Sequence, residues 1–149
     1  MVNMSAQQTE LTDNKKIKLN ITTPRGVKVS EEADLLIMRA IDGNLGVLAG
    51  HEPVSAILGE GILQIFNDGV EKKLAVFNGI VEINDTDVNI MSTIAQLPGE
   101  IDLERAEQDR REAEASLEAS EEVQIQSLQV VLRRSLVRIE VSLHLDDED

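Results

Sequence analysis

Two arginines and one short charged segment are the residues of this sequence best suited to binding an anion. Arg134 and Arg138 are four residues apart, which places both side chains on one face of a helix. Guanidinium forks match phosphate oxygens, so the pair could clamp a phosphate chain if a third arginine, Arg105, folds against it. Alone, each arginine could instead complement the dipole near the C-terminal end of its helix. The residues themselves leave both explanations open.

The charged segment is Ile101-Asp102-Leu103-Glu104-Arg105-Ala106, where the sequence pattern becomes helical. Asp102 is suited to capping this helix, because its carboxylate can accept backbone N–H groups of the first turn. Arg105 would then be the third helical residue, where Glu or Gln would complete a capping box. A cation there opposes the helix dipole by about 0.3–1 kcal/mol. The unfavourable arginine predicts a role beyond capping.

No set of residues in the sequence supports catalysis or metal binding. The chain has no cysteine and two histidines, which excludes thiolate chemistry and argues against a histidine-rich metal site. His51-Glu52-Pro53-Val54-Ser55 begins like a zinc-protease helix, but its fifth residue is Ser and Pro53 would break the helix. No phosphate loop ending in Gly-Lys-Ser/Thr occurs. We predict no catalytic residues, no metal and no obligatory cofactor, so that the chain alone is not an enzyme.

Composition narrows the possible partners. A net charge of −14 opposes binding to the phosphate backbone of nucleic acids and to anionic lipid. No apolar run approaches the roughly 20 residues that a membrane span needs, so no direct membrane insertion is expected. Residues 1–14 are polar and aperiodic, which predicts a flexible leader without the apolar core of a secretion signal. We expect a soluble intracellular protein.

Residues 15–98 have the pattern of an antiparallel β-sandwich or flattened barrel. Lys16–Thr22 alternates strictly between apolar and polar side chains, as a half-buried strand does. Turn-forming residues recur at Thr23–Gly26, Asn67–Gly69 and Asn84–Asp87. Further strands are predicted over Val27–Ser30, Asp34–Ala40, Ser55–Leu58, Ile62–Phe66, Glu71–Phe77, Ile80–Ile83 and Val88–Ile94, with a loop-rich stretch over Gly43–Pro53. Only two aromatic residues occur, so the core must be aliphatic.

Residues 99–142 have helical periodicity and predict a C-terminal two-helix hairpin, which makes the fold a two-part α+β architecture. In the first helix, Ala106, Ala113 and Leu117 lie along one face. In the second, the apolar stripe consists of Ile125, Leu128, Leu132, Leu136 and Ile139. Each helix would cover the stripe of the other. Residues 143–149 are predicted to be a solvated acidic tail.

Three stretches give the chain its resemblance to a known family. Gly43-Asn44-Leu45-Gly46-Val47-Leu48-Ala49-Gly50-His51-Glu52-Pro53 is similar to a Gly-x-Leu-Gly-Ile-Leu-x-Gly-His-x-Pro loop. Ala75–Ile83 resembles a strand pair around a glycine, and residues 101–106 match an Ile/Leu-Asp-x-x-Arg-Ala nucleotide motif. Together, and in this order, they resemble the epsilon subunit of bacterial F-type ATP synthases, over about Lys16 to Val141.

The resemblance implies a non-catalytic subunit of the rotor stalk that couples proton or sodium transport to ATP synthesis. The sandwich would contact the gamma subunit and the ring of c subunits. The mobile helices would either fold on the sandwich or extend into the alpha and beta subunits and restrain ATP hydrolysis. ATP is implied as a regulatory ligand that favours the compact form. The expected location is the cytoplasmic face of the bacterial plasma membrane, as a peripheral member of the complex.

The resemblance also assigns roles to residues. The implied ATP-binding set is Ile101, Asp102, Arg105, Ala106, Arg134 and Arg138. The implied rotor-contact loop contains Gly43, Leu45, Gly46, Gly50, His51 and Pro53. The implied inhibitory contact consists of Arg133, Arg134 and Arg138. The sequence departs from some relatives in having Gln96 where they place an acid, and Glu112, Glu114 and Glu118 where they carry arginines.

A second hypothesis is a free-standing interaction module that uses its helical hairpin to bind a partner helix. An exposed helix stripe would serve either function, so composition does not separate the two. The ordered motifs favour the stalk subunit. A standalone hydrolase would lack catalytic groups.

Overall fold

The structure, a computed structural model, describes residues 15–119 and 122–148. The predicted leader, residues 1–14, lies outside the described residues. Eight strands come first in the described chain, followed by one short 3-10 helix and two α-helices. The strands are β1 Ile17–Thr23, β2 Gly26–Ala33, β3 Leu35–Ala40, β4 Gly43–Val47, β5 Val54–Leu58, β6 Gly61–Asn67, β7 Val70–Ile83 and β8 Asp87–Gln96. The helices are the 3-10 helix Pro98–Glu100, α1 Leu103–Ala119 and α2 Glu122–Glu148.

The strands form the predicted N-terminal β-sandwich. Their order is β2-β1-β8-β7-β5-β3-β4, and β6 pairs with both β3 and β7. All pairs are antiparallel except β1 with β8. The 14-residue β7 joins the layers, because its first half pairs with β6 and its second half with β5. Phe77 and Asn78 lie at this change of partner.

The sandwich has an aliphatic core, as the near absence of aromatic residues requires. Burial alternates along β1, where Ile17, Leu19 and Ile21 are buried between more exposed neighbours. In the part of the chain that the structure describes, the main core cluster contains seventeen buried residues, and all of them lie between Ile17 and Ala95. No residue of either α-helix belongs to it among the described residues. The sandwich core is therefore complete without the helices.

Two strand predictions differ from the structure. The stretch predicted to be loop-rich contains β4, because Gly43–Val47 pairs in full register with β3 and buries Val47. Pairing outweighs the low strand propensity of its two glycines. The strands predicted over Glu71–Phe77 and Ile80–Ile83 are one continuous β7. The chain does not turn at Asn78-Gly79 because β8 pairs with β7 on both sides of this point, from Ala75 to Ile83, and Asn78 tolerates the positive φ of 55° that it adopts there.

The two helices pack together as the predicted hairpin. Ala106 and Ala113 of α1 are buried, as expected from the small-residue face. The stripe of α2 is corrected at one position: Leu136 is half exposed, whereas Val137 and Val141 are buried. α2 also continues to Glu148, so the residues predicted to form an acidic tail from 143 belong to the helix up to that point. No Gly or Pro occurs in residues 122–148 to end it earlier.

Candidate functional site at the junction of helices and sandwich

A second, smaller apolar cluster joins the helical hairpin to the sandwich. Its buried members come from β7, from the segment before α1 and from α2; they are Ala75, Phe77, Ile101, Val137 and Val141. Ile62 and Ile94 pack against its edge. Phe77 is fully buried and is the largest side chain of the cluster. The helices therefore cover one aromatic ring that the sandwich core does not use.

Both arginines of α2 that the sequence analysis singled out lie over this ring. The Cζ atom of Arg134 is 5.3 Å from the centre of the Phe77 ring, and that of Arg138 is 4.8 Å away. These distances are within the range of cation–π interactions. The four-residue spacing thus places both guanidinium groups on the sandwich-facing side of α2. The site is positively charged within a chain that is strongly acidic overall.

Arg134 forms a two-pronged ion pair with Glu60. Its Nε donates to one carboxylate oxygen at 3.0 Å, and its Nη2 donates to the other at 3.2 Å. The Glu60 side chain is only 10% exposed, and that of Arg134 is 24% exposed. The hydrogen-bonding pattern assigns the orientation of the Asn78 amide, which places its nitrogen 3.0 Å from Glu60 and its oxygen 2.8 Å from Arg134 Nη2 and so completes the network. Among the described residues, no buried side-chain nitrogen or oxygen lacks a hydrogen-bond partner, as buried polar groups require.

The position of Glu60 follows from the two glycines beside it. Glu60 lies in the turn between β5 and β6, in the sequence Gly59-Glu60-Gly61. The Gly59 N–H donates to the carbonyl of Arg39 at 3.0 Å. A Cβ on Gly61 would lie 2.9 Å from the Cβ of Arg39, so only glycine allows this approach without a shift. The turn is held against β3, and the carboxylate points towards α2.

Arg138 has a different environment from Arg134. Its Nε donates to Gln96 Oε1 at 2.8 Å. Burial lowers the pKa of the Arg138 guanidinium, and the positive charge of Arg134 lowers it further, whereas Asp109 and Glu60 act in the opposite direction. Arg138 remains a cation, because even a lowered arginine pKa stays far above neutrality. It has no carboxylate partner among the ion pairs of the described residues.

An open cavity adjoins Arg138 and could accept an anionic ligand. Its volume is about 610 Å³, within the usual range for ligand pockets. Besides Arg138, its charged and polar lining includes Arg25, Lys28, Gln96 and Glu100. Lys28 and Glu100 form an ion pair, and this pairing lowers the pKa of the Glu100 carboxyl. The cavity therefore has three cations and one acid, a lining suited to a phosphate chain.

The residues at the start of α1 cap the helix and contribute to the apolar cluster. Asp102 caps α1, because its Oδ1 accepts the backbone N–H of Arg105 at 3.1 Å. Ile101 is buried in the cluster around Phe77, and Ala106 is buried in α1. The Arg105 side chain is 77% exposed and lies 3.9 Å from Asp109, its neighbour one turn later. We expected Arg105 to lie against Arg134 and Arg138, but this is not among the contacts of the described residues in this conformation.

The residues implied for the rotor contact are divided between β4 and the loop that follows it. Gly43, Leu45 and Gly46 belong to β4, with Gly43 beside the β3–β4 turn. Gly50 and His51 lie beyond the other end of β4, where the Gly50 N–H donates to Asp85 at the β7–β8 turn at 2.7 Å. Pro53 follows in the same exposed loop. Exposed apolar residues mark both ends: Ile41 is 63% exposed and Leu48 is 49% exposed.

Arg133, the third residue implied for the inhibitory contact, forms no ion pair or ring contact with the sandwich among those of the described residues. It is exposed and lines a separate cavity of about 330 Å³ together with Glu60 and Glu140. Only Arg134 and Arg138 of the implied inhibitory set therefore bind the sandwich in this conformation.

Glu60 and Asn78 are residues of the site that the sequence patterns did not predict. A signal was present for both. Glycines on both sides of Glu60 indicate a turn, and an Asn-Gly pair tolerates a left-handed conformation. Phe77 stood out as one of two aromatic residues, but its location under the helices depends on tertiary structure.

Comparison with known proteins connects this architecture to one family. Residues 16–98 match the β-sandwich domain of the ATP synthase delta/epsilon chain, and residues 100–142 match the long α-helix domain of the same chain. The ATP synthase epsilon chain of Shouchella clausii is 33% identical over 128 residues, which cover 86% of this chain and 96% of that one. The epsilon chain of Symbiobacterium thermophilum is 34% identical over 134 residues, covering 89% and 96%.

A solved structure shows the same fold. A chain of the Euglena gracilis mitochondrial ATP synthase, in a cryo-EM structure of its OSCP/F1/c-ring assembly, superimposes with a TM-score of 0.74 at 27% identity. The match covers 87% of this chain and 82% of the other.

The β-sandwich, the appended helical hairpin and the family matches define the class: a small subunit of a rotary ATP synthase. The chain belongs to the delta/epsilon chain family of ATP synthases. As an epsilon-type chain, it is a non-catalytic component of the central stalk of an F-type ATP synthase. Among the described residues, no helix is long and apolar enough to cross a membrane.

Proposed function

We propose that this chain regulates ATP hydrolysis through the position of its helical hairpin. In the docked position the helices lie on the sandwich, as in this structure, and hydrolysis is permitted. In the released position they extend towards the alpha and beta subunits and restrain rotation. Arg133, Arg134 and Arg138 are the basic residues that a released α2 would present to the catalytic subunits.

The observation that carries this proposal is the small apolar interface between hairpin and sandwich. Among the residues that the structure describes, the sandwich core has seventeen buried members, whereas the cluster under the hairpin has five. Structural units with few buried apolar contacts open at a lower free energy than the rest of a protein. Release would leave the sandwich core intact, because that core contains no residue of the hairpin among those described.

ATP is the proposed ligand that favours docking. The cavity beside Arg138 supplies guanidinium and ammonium groups, and Arg134 lies next to Arg138 over the same ring. A ligand shifts the equilibrium only through tighter affinity for one of the two forms. A site built from both α2 and the sandwich exists only while the hairpin is docked. Falling ATP would then release the hairpin.

The proposed partners of the sandwich are the gamma subunit and the ring of c subunits. The solved relative from Euglena gracilis was determined within an assembly that contains F1 and the c-ring. An apolar row crosses the outer face of the sandwich, where Ile57 and Met91 flank Ile80 on neighbouring strands. These three side chains are 47–55% exposed, as an uncovered contact surface would be. We propose this row as the gamma contact and the loop around Leu48 and His51 as a c-ring contact.

This assignment makes the chain a peripheral member of the complex at the cytoplasmic face of the membrane. It would take part in coupling ion transport to ATP synthesis without contributing catalytic residues. The family membership favours this function over the free-standing interaction module.

The test is a chain that ends at Pro98, assembled into the otherwise complete ATP synthase. We expect its ATPase activity to rise several-fold at low ATP, because the inhibitory helices are absent, while ATP-driven ion pumping persists. Native mass spectrometry should confirm that the shortened chain remains in the complex. An unchanged ATPase rate in a complex that retains the sandwich would contradict the regulatory role.

A further inference from the structure

In the docked form, the guanidinium fork of Arg134 is already occupied. Glu60 presents two oxygens to Nε and Nη2 at 3.0 and 3.2 Å, the arrangement that a phosphate group would also offer. A phosphate oxygen and the Glu60 carboxylate therefore compete for the same donors. Arg138, in contrast, donates to the neutral Gln96 and borders the open cavity. The two arginines are not equally available to a ligand.

We propose that Glu60 is a built-in competitor of the nucleotide: it holds Arg134 while the site is empty, and the nucleotide phosphates must displace it. This inference rests on the proposed binding of ATP to the docked hairpin. It assigns Glu60 two effects of opposite sign. Glu60 fastens the hairpin to the sandwich in the absence of nucleotide, and it weakens nucleotide binding.

The surroundings of Glu60 make this displacement costly. Its side chain is 10% exposed, so a carboxylate that loses Arg134 stays largely removed from water. The Asn78 amide nitrogen, 3.0 Å away, would remain as a hydrogen-bond donor but carries no charge. The bound phosphates would add like-charge repulsion. Each of these effects lowers the affinity of the wild-type site for ATP.

Three states describe the consequence: docked with the Glu60–Arg134 pair, docked without it, and released. ATP binds the second state, so the pair reduces the binding-competent fraction. Removing the pair depletes only the first state. The released fraction without nucleotide must then rise, and the apparent affinity for ATP must also rise. An ordinary interface contact behaves differently, because its loss favours the released state and weakens ATP binding.

Glu140 offers a matched control. Its carboxylate pairs with Lys73 at 3.4 Å, and so joins α2 to β7. Glu140→Gln therefore removes a contact between hairpin and sandwich without touching Arg134. Glu60→Gln removes one negative charge in the same way and keeps the size of the side chain. The two variants have the same change in composition and differ only in position.

The experiment uses the full chain and two readouts. Calorimetry measures the Kd for ATP, and distances between spin labels at Glu82→Cys and Gln129→Cys measure the released fraction; both positions are exposed and the chain has no native cysteine. For Glu60→Gln we expect the Kd to fall roughly tenfold and the released fraction without ATP to increase. For Glu140→Gln we expect an unchanged or higher Kd. Glu60→Asp, which keeps the charge but shortens the side chain, should fall between wild type and Glu60→Gln.

The outcomes separate this inference from the proposed function. If wild type binds ATP and Glu60→Gln binds it equally or more weakly, the competitor role is overturned and nucleotide sensing stays intact. If wild type does not bind ATP and Glu60→Gln does, the result supports a competitor strong enough to block the site. Absence of binding by both overturns the inference and the nucleotide part of the proposed function together. Circular dichroism of each variant confirms that it is folded before either readout is interpreted.

Discussion

Arg138 stands 4.8 Å from the centre of the Phe77 ring, which the sandwich supplies and the helices bury. The contact joins the two parts of the molecule at one point. Cation–π attraction is worth about 0.5–2 kcal/mol, increasing as the pair is removed from water. The ring therefore serves both as the apolar floor under the hairpin and as a support for a guanidinium group beside an open cavity.

Loss of Arg138 should weaken ATP binding. We expect Arg138→Ala to raise the Kd at least tenfold, because it removes both a cation from the cavity and a contact with Phe77. Arg134→Ala should also raise the Kd, but by less, since Arg134 must first leave Glu60. Calorimetric titration with ATP measures both, and Arg110→Ala, at an arginine paired with Glu114 within α1, is the control. If Arg138→Ala bound ATP as tightly as wild type, the nucleotide site would not be at this junction.

Two substitutions of Asp102 separate its capping role from a role in ligand binding. Asn is also a good N-cap residue, so Asp102→Asn should keep the stability of α1 while Asp102→Ala loses about 0.5–2 kcal/mol. Urea unfolding of the full chain and calorimetry with ATP are the two measurements. If the carboxylate acts only as a cap, Asp102→Asn binds ATP like wild type. Weakened ATP binding at unchanged stability would instead give the Asp102 charge a direct role.

The sandwich should fold without the helices. A chain ending at Pro98 keeps every described residue of the main core, but it loses the cover over Phe77 and the ion pairs that Lys28, Glu60 and Lys73 form with later residues. We expect this chain to unfold cooperatively in urea. Its free energy of unfolding should be lower than that of the full chain, because the contribution of the smaller cluster is lost. A sloping, non-cooperative transition would show that the hairpin is an essential part of the sandwich, and a detachable hairpin would then be excluded.

Acid should destabilise the sandwich partly through Asp34. The Lys16 ammonium, 2.7 Å away, lowers the pKa of the Asp34 carboxyl, and the backbone N–H of Asp68 lowers it further. The folded pKa thus lies below the unfolded value of about 3.9, so this stabilisation is complete above about pH 5. It is lost as the pH falls through the folded pKa, because the unfolded chain then binds more protons.

Asp34→Asn tests this pH dependence. The variant should be less stable than wild type at pH 7, and the difference should shrink as the pH falls from about 5 to 3. The free energy of unfolding at each pH gives the comparison, and Asp42→Asn, at an exposed turn residue, serves as control. A difference between wild type and Asp34→Asn that stayed constant down to pH 3 would mean that the ion pair does not contribute through titration.

Much of the fold follows from local patterns in the sequence. The alternation in Lys16–Thr22, the turn residues at Asn67–Gly69 and Asn84–Asp87, and the small-residue face of α1 all correspond to observed features. The sequence pattern did not predict β4, because its glycines are typical of loops. Pairing with β3 gives this segment its strand conformation. The predicted α2 was too short, because the acidic residues from 143 onward are typical of a solvated tail. No Gly or Pro in that segment breaks the helix.

The site was predicted in part. The spacing of Arg134 and Arg138 and the capping by Asp102 could be derived from the sequence alone, since both depend on positions along one helix. The partners Glu60, Asn78 and Phe77 lie 56–78 residues before the two arginines in the sequence. They contact the arginines only because tertiary packing brings β7 and the β5–β6 turn against α2. Local spacing carries no information about such contacts.

The most direct test of the account is the position of the hairpin in the assembled ATP synthase. Spin labels at Glu82→Cys and Gln129→Cys report the distance between β7 and α2, with and without ATP. We predict one short distance at saturating ATP and an additional longer distance when ATP is removed. When ATP is then added back, the initial rate of hydrolysis should be lower than the later, steady rate. The same single short distance under both conditions would contradict a hairpin that leaves the sandwich when ATP is scarce.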